Sequence, residues 1–367
     1  MNIDSLFEPL TLGHKLTLRN RLVMAPMTTT SGELDGGFSN QEVAYLAQRA
    51  ANDIGLVMTP ACYCHKSGHA FERQVGCHGD TLLASLSRCA EAMNRHGAAS
   101  FLQIHHGGNA AKERFTGRPP LAPSAVINRA RTSEMPREMT EQEIWMIVEA
   151  FTLAAQRARR AGFTGIELHG ANTYLFQQFF SPDTNRREDQ WGCQSMENRS
   201  RFAREVVRAV RTEVGPDYPI SYRISPEEPD PRGYSVYEAI ELLQELVDLG
   251  IDIVHVSSWE YGAGVRHDYP DGSSPTLEIR RALPSHIPVI AVGGVMFPNQ
   301  ALRARSDGIE LVALGRALLL NPDWAVKVRK GRIEEIVTSA STEAALVQLE
   351  IPDRMKGYVR RWFLSQT

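Results

Sequence analysis

Short runs of apolar and β-branched residues recur along this chain, each ending in small or polar residues and each followed by an amphipathic stretch. The runs are Leu22–Met27, Gly55–Ala61, Ala99–His106, Gly165–Ala171, Ile220–Ser225, Ile251–Ser258, Pro288–Gly294 and Gly308–Arg316. Continuous apolar runs with few interruptions suit strands buried on both faces of a parallel sheet. Between them, Thr140 and Glu143 form a capping-box pair ahead of Ile144, Ile147, Val148 and Phe151, and Gly162 follows Arg157, Arg159 and Arg160 as a stop. Ser235 and Glu238 repeat the device before Leu242, Leu243, Leu246 and Val247, with Gly250 closing that helix. Phe202, Val206, Val210 and Val214 make a further stripe at four-residue steps. Eight strand–helix units in succession predict an α/β fold, a closed (β/α)8 TIM barrel; an open doubly wound sheet is the alternative.

Two segments fall outside the repeat. Residues 7–21 read as a hairpin across Gly13–His14, a plug for the amino-terminal mouth of the barrel. Residues 107–139 form a long excursion after the third strand, with Pro119, Pro120, Pro123 and Pro136 and an excess of cations. A loop of that length is either functional, here a lid or an anion contact, or a solvated excursion. The reading is one barrel domain over 1–367, with 330–367 as a carboxyl-terminal tail.

Composition narrows the class. The 367 residues are 43% hydrophobic and 23% charged, with a net charge of −3. That is globular composition, and no global field recruits nucleic acid or an anionic membrane. No apolar run reaches the ~18–20 residues of a membrane span, and MNIDSLFEPL does not read as a secretory signal. Five cysteines in a long chain read as reduced thiols in a cytoplasmic protein. Cys62, Cys64, His65, His69, Cys77 and His78 cluster in sequence, but Cys62-x-Cys64 is tighter than the usual zinc knuckle, so no metal site is expected.

A barrel of this kind places chemistry at the carboxyl ends of its strands. Those ends carry Pro26, Met27 and Thr28; Ala61; Gln103, His105 and His106; His169 and Asn172; Arg223; Ser257 and Ser258; Gly293 and Gly294; and Gly315 and Arg316. Glycines and an arginine after strands 7 and 8 suit phosphate, since backbone N–H groups can approach its oxygens and a guanidinium adds charge-assisted bonds. The alternatives there are tight turns and a surface cation. A glutamine amide offers both a donor and an acceptor to the pyrimidine edge of a flavin. Arg223 would stabilise negative charge on that edge, or else pair with a barrel carboxylate such as Glu167. His169 and Asn172 could converge two donors on one substrate oxygen, and Tyr174, with a phenol pKa near 10, could serve as general acid. Local turn bonding is the other reading of that segment.

The segments LTLRNRLVMAPMT, LQIHHGG, GIELHGANTYLFQQFFSPDTNRREDQWG, MENRSRF, YRIS and AVGGV…ALGRALLLNPDW together resemble the old yellow enzyme family of FMN-dependent ene-reductases, from Leu6 to about Trp324. The resemblance implies tightly bound, non-covalent FMN and NADH or NADPH as reductant. It implies ping-pong reduction of activated alkenes such as enones, enals, maleimides and nitroalkenes. Pro26, Met27, Thr28, Ala61, Gln103 and Arg223 match the family's ring contacts. Gly293, Gly294, Gly315 and Arg316 match its phosphate cradle. His169 and Asn172 match the pair that binds the substrate oxygen, and Tyr174 the proton donor. The chain departs from the family spelling in having Thr173 and Cys193 where glycine is common, and Thr28 and Thr30 where one branch has cysteine and tyrosine. It has no cysteine after Cys193 for the iron–sulfur motif of longer relatives. A phosphate-binding barrel lyase or isomerase without flavin, and a non-catalytic flavin sensor, are the competing functions. Assembly into a homo-oligomer is left open.

Overall fold

The computed structural model describes residues 2–12, 16–127, 134–264, 273–339 and 349–363. Its strands are β1 (Leu10–Leu12), β2 (Leu16–Leu18), β3 (Leu22–Met24), β4 (Leu56–Met58), β5 (Cys62–Tyr63), β6 (Ala99–His105), β7 (Leu121–Ala122), β8 (Arg137–Glu138), β9 (Gly165–Gly170), β10 (Ile220–Ile224), β11 (Ile253–Ser257), β12 (Val289–Val292) and β13 (Leu311–Leu314). Eight of these pair in parallel in the order β4-β3-β13-β12-β11-β10-β9-β6, and the β4–β6 pairing closes the ring. All eight apolar runs of the sequence supply a barrel strand, and the open-sheet alternative is excluded by that closure.

The helices form the outer layer. Both predicted capping boxes are present, on the helices Glu141–Arg160 and Val236–Asp248, and a third, from Ser39 and Glu42, opens α1 (Asn40–Ala51). Phe202, Val206, Val210 and Val214 face inward from the helix Met196–Val214. No helix among the described residues is long and apolar enough to cross a membrane.

Side chains alternate along each barrel strand between the helical layer and the interior. The interior floor is apolar: Val23, Leu56, Phe101, Ile253, Ile290 and Leu311 pack there with Leu12 and Leu18 of the β1–β2 hairpin. The hairpin, antiparallel with Leu10 opposite Leu18, therefore closes the amino-terminal end; its predicted turn at Gly13–His14 lies outside the described residues. Above this floor the interior turns polar. Gln103, Glu167, Ser221 and His255 occupy inward positions on four adjacent strands and are all fully or almost fully buried.

Candidate active site

Two cavities open at the carboxyl ends of the barrel strands. The larger, about 720 Å³, has Thr28, Phe71, Asn172, Tyr174 and Glu227 in its wall. The smaller, about 210 Å³, is walled by Gly293, Gly294, Gly315 and Arg316, from the loops after β12 and β13. Pro26, Met27, Arg223, Ser258, Trp259 and Tyr358 line both, so the two are neighbouring compartments of one mouth. The larger alone falls in the ~300–1,000 Å³ range of small-molecule and cofactor pockets.

The β9-to-helix turn sets the polar end of the larger compartment. Asn172 and Thr173 lie at φ +58° and +62°, in the left-handed region. The Asn172 N–H donates to Ser225 Oγ at 2.9 Å, the Thr173 N–H donates to Gln177 Oε1 at 2.8 Å, and Gln178 Nε2 donates to the Thr173 carbonyl at 2.7 Å. Three side chains thus hold a backbone shape that a β-branched residue disfavours, which is the physical reason glycine is common at this position. Gly170, just before, has no room for a side chain: a Cβ there would lie 2.4 Å from the Tyr222 ring and hydroxyl.

Hydrogen-bond polarity in this turn is directional. The Ala171 N–H donates to His169 Nδ1 at 3.3 Å, so Nε2 carries the ring proton. Arg223 Nη2 donates to Ser257 Oγ at 3.1 Å, and Ser257 Oγ donates to Asn172 Oδ1 at 3.2 Å. The Asn172 oxygen is thereby used as an acceptor, and its Nδ2 is the donating end. Tyr174 is nearly buried, edge-on to His169 at 5.0 Å and to His105 at 4.4 Å between ring centroids.

Arg223 is the cation of the mouth. It is buried, and its Nε has no hydrogen-bond partner. Burial lowers its proton affinity, and the charge of Glu167 raises it again. The predicted alternative of a direct ion pair is not what forms: Glu167 spends its carboxylate on Gln103, Ser221 and His255. A buried guanidinium with an orphaned donor, beside a compartment walled by three glycines and Arg316, fits an anionic, hydrogen-bond-accepting group such as a flavin with its phosphate.

Not every predicted residue reaches the wall. Ala61, Gln103 and His169 are buried just behind it. The Ala61 carbonyl accepts from Gln74 Nε2 at 2.9 Å, and Gln103 Nε2 donates to Glu167 at 2.8 Å. No described residue of the 107–139 excursion lines either compartment. Cys62, Cys64, Cys77 and Cys89 are buried thiols, and burial pushes each of them up. Tyr63 stacks between His69 and His78 at 4.6 and 4.7 Å.

Sequence reasoning missed Phe71, Glu227 and Tyr358. Tyr358 belongs to the helix Asp353–Phe363, which is docked through buried Met355 and Val359 and through Gln41 Nε2 donating to Asp353 at 2.9 Å. The four-residue spacing of Met355 and Val359 is the one signal that pointed to a packed helix there.

A family model described as NADH:flavin oxidoreductase / NADH oxidase matches residues 5–335. The chain belongs to this family. It is the old yellow enzyme type of barrel that the HGANTY segment resembles. Over 342 residues it is 36% identical to a probable NADH-dependent flavin oxidoreductase, YqiG, of Bacillus subtilis, covering 91% of this chain and 90% of that protein. It is also 36% identical over 362 residues to the NADH:fumarate oxidoreductase of Klebsiella pneumoniae, covering 95% of this chain. This chain spans only 38% of that longer relative. Among solved structures it is similar to morphinone reductase, with a TM-score of 0.80 at 29% identity over 95% of this chain and 96% of the other. The complex of 2-naphthoyl-CoA reductase with 2-naphthoyl-CoA superposes with a TM-score of 0.85 at 26% identity, covering 96% of this chain and 56% of that one.

Proposed function

We propose that this family member holds FMN across the barrel mouth and uses NADH or NADPH to reduce activated carbon–carbon double bonds. Pro26, Met27, Thr28, Ala61, Gln103 and Arg223 would hold the ring, and Gly293, Gly294, Gly315 and Arg316 the phosphate. FMN held there would supply the hydride chemistry between nicotinamide and alkene. Relatives are named for each reductant, so either nicotinamide fits the proposal.

The chain's own residues prepare the alkene. His169 Nε2–H and Asn172 Nδ2 are donors for its carbonyl or nitro oxygen, and bonding there withdraws electron density from the double bond. Tyr174 holds a proton for the α-carbon, since a phenol stays protonated at neutral pH. Phe71, Pro226 and Tyr358 line the larger compartment.

One observation carries this reading. His169 Nδ1 accepts from the Ala171 N–H and Asn172 Oδ1 accepts from Ser257 Oγ, which supports reading the remaining N–H groups of both side chains as donors toward a substrate oxygen. A lyase without flavin has no use for that pair together with Arg223. The test is to purify the protein and look for a flavin band near ~450 nm that bleaches anaerobically with NADH or NADPH and returns on adding an enone, maleimide or nitroalkene. A colourless protein that releases no FMN on heating overturns the proposal.

A further inference from the structure

The barrel interior beneath the mouth holds a buried carboxylate that the reaction above does not use. Glu167 is fully buried on β9, and every bond to its carboxylate comes from the polar layer. Gln103 Nε2 donates to Oε1 at 2.8 Å, and Ser221 Oγ donates to Oε2 at 3.0 Å. His255 Nδ1 lies 2.7 Å from Oε2. Burial alone would raise the Glu167 carboxyl, but the adjacent His255, and after it Arg223 and Gln103, bring it below the ordinary carboxylate range. Burial keeps His255 neutral, so it donates from Nδ1, and its Nε2 is buried without a partner. The layer therefore contains one fixed anion, Glu167.

A fixed anion in a dry interior is costly unless a cation compensates it. The compensating cation is Arg223, one pleat further along the neighbouring strand: Ser221 is in register with Glu167, and Arg223 with His169 and His255. Arg223 faces both compartments, whereas Glu167 lines neither. Whatever sits at the mouth therefore feels a guanidinium whose charge is partly offset from below. Gln103 is held in the same way. An amide oxygen against a carboxylate would be repelled, so Nε2 points down to Glu167 and the acceptor Oε1 is the end left for the mouth.

We propose that Glu167 is a positioning residue of the flavin site, fixing the orientation of the Gln103 amide and offsetting the charge of Arg223 so as to set the reduction potential of the bound ring. The inference rests on the reading that FMN occupies the mouth. Reduction places negative charge on the ring edge, which an uncompensated Arg223 would favour and Glu167 restrains.

The test is the midpoint potential of the bound flavin, measured by dye-coupled anaerobic titration of the holoenzyme. Glu167→Gln keeps the shape of the side chain and removes the charge together with one acceptor oxygen. It should shift the equilibrium toward reduced flavin by about tenfold or more, ~30 mV upward for a two-electron couple. Glu167→Asp, which keeps the charge, should stay near the wild-type potential. His255→Leu takes one donor from the carboxylate and leaves its charge less screened, so it should move the potential the opposite way, downward, and less far; it decides the matter if Glu167→Gln does not retain flavin. A purely structural role would alter stability or flavin retention and leave the potential of bound flavin unchanged. Wild-type protein that binds FMN, with variants at the wild-type potential, overturns this inference and leaves the proposed function standing. Wild-type protein that binds no FMN overturns both.

Discussion

Asn172 and Thr173 occupy consecutive left-handed backbone conformations, and the second is β-branched. A non-glycine residue in that region costs about 1–2 kcal/mol, which the bonds from Ser225, Gln177 and Gln178 must offset. Thr173→Gly removes the strain but adds chain entropy to the unfolded state. The expected net is a stabilisation of about 0.5–1 kcal/mol, read as a higher urea midpoint at an unchanged slope. A destabilised variant would mean that the Thr173 side chain makes a compensating contact.

Tyr174 is assigned one task, delivery of a proton. Tyr174→Phe should leave flavin content and the rate of flavin reduction by nicotinamide unchanged. Reoxidation by an enone should slow by roughly 10²–10⁴-fold, the usual contribution of a positioned acid. Anaerobic stopped-flow of the two half-reactions separates them, and equal slowing of both would remove Tyr174 from the acid role.

Ser257 relays between the cation of the mouth and the substrate pair. Ser257→Ala frees the Asn172 amide to turn its oxygen outward and takes a partner from Arg223. A net hydrogen bond of about 1–1.5 kcal/mol corresponds to phenol binding weakened about tenfold, measured from the long-wavelength band of phenols stacked on flavin. His169→Ala should weaken the same titration, since it removes a donor outright.

Glu42 links the first strand's loop to pH. It is buried in the capping box of α1, accepts a bond from Thr29 Oγ1, and burial raises its pKa to about 7. Between pH ~4.5 and ~7 the folded state holds a proton that the unfolded state releases, so this group's contribution to stability falls as pH rises through that window. The loss is of order 3 kcal/mol. Glu42→Gln carries no such titration. Its stability relative to wild type should therefore improve by about that amount from pH 4.5 to 7.5, by urea unfolding at the two pH values.

The barrel was legible because parallel strands are buried on both faces and read as unbroken apolar runs. Leu311–Leu314 and Val289–Val292 could hardly be anything else. The strand-end rule led, without any motif, to Arg223, Asn172 and the glycines, which line the mouth. Ala61, Gln103 and His169 lie behind the wall rather than in it, a difference of depth that position along a strand does not reveal. Phe71 and Tyr358 were out of reach, since a loop and a docked helix bring them in through tertiary packing. The polar layer was half visible: Glu167 and His169 share strand parity in GIELHG, but which donors met the carboxylate depended on three neighbouring strands.

The first and last barrel strands, β3 and β13, lie side by side, with Leu22 in register with Val312 and Met24 with Leu314. The smaller compartment sits across that seam, with Ala25 and Met27 on one side and Gly315 and Arg316 on the other. A ribosome-bound chain that has emerged only as far as β12 has no such compartment. On the proposed function, the phosphate end gains its seat only when residues past Arg316 have left the exit tunnel, and a translation stall between those points would leave a chain without it.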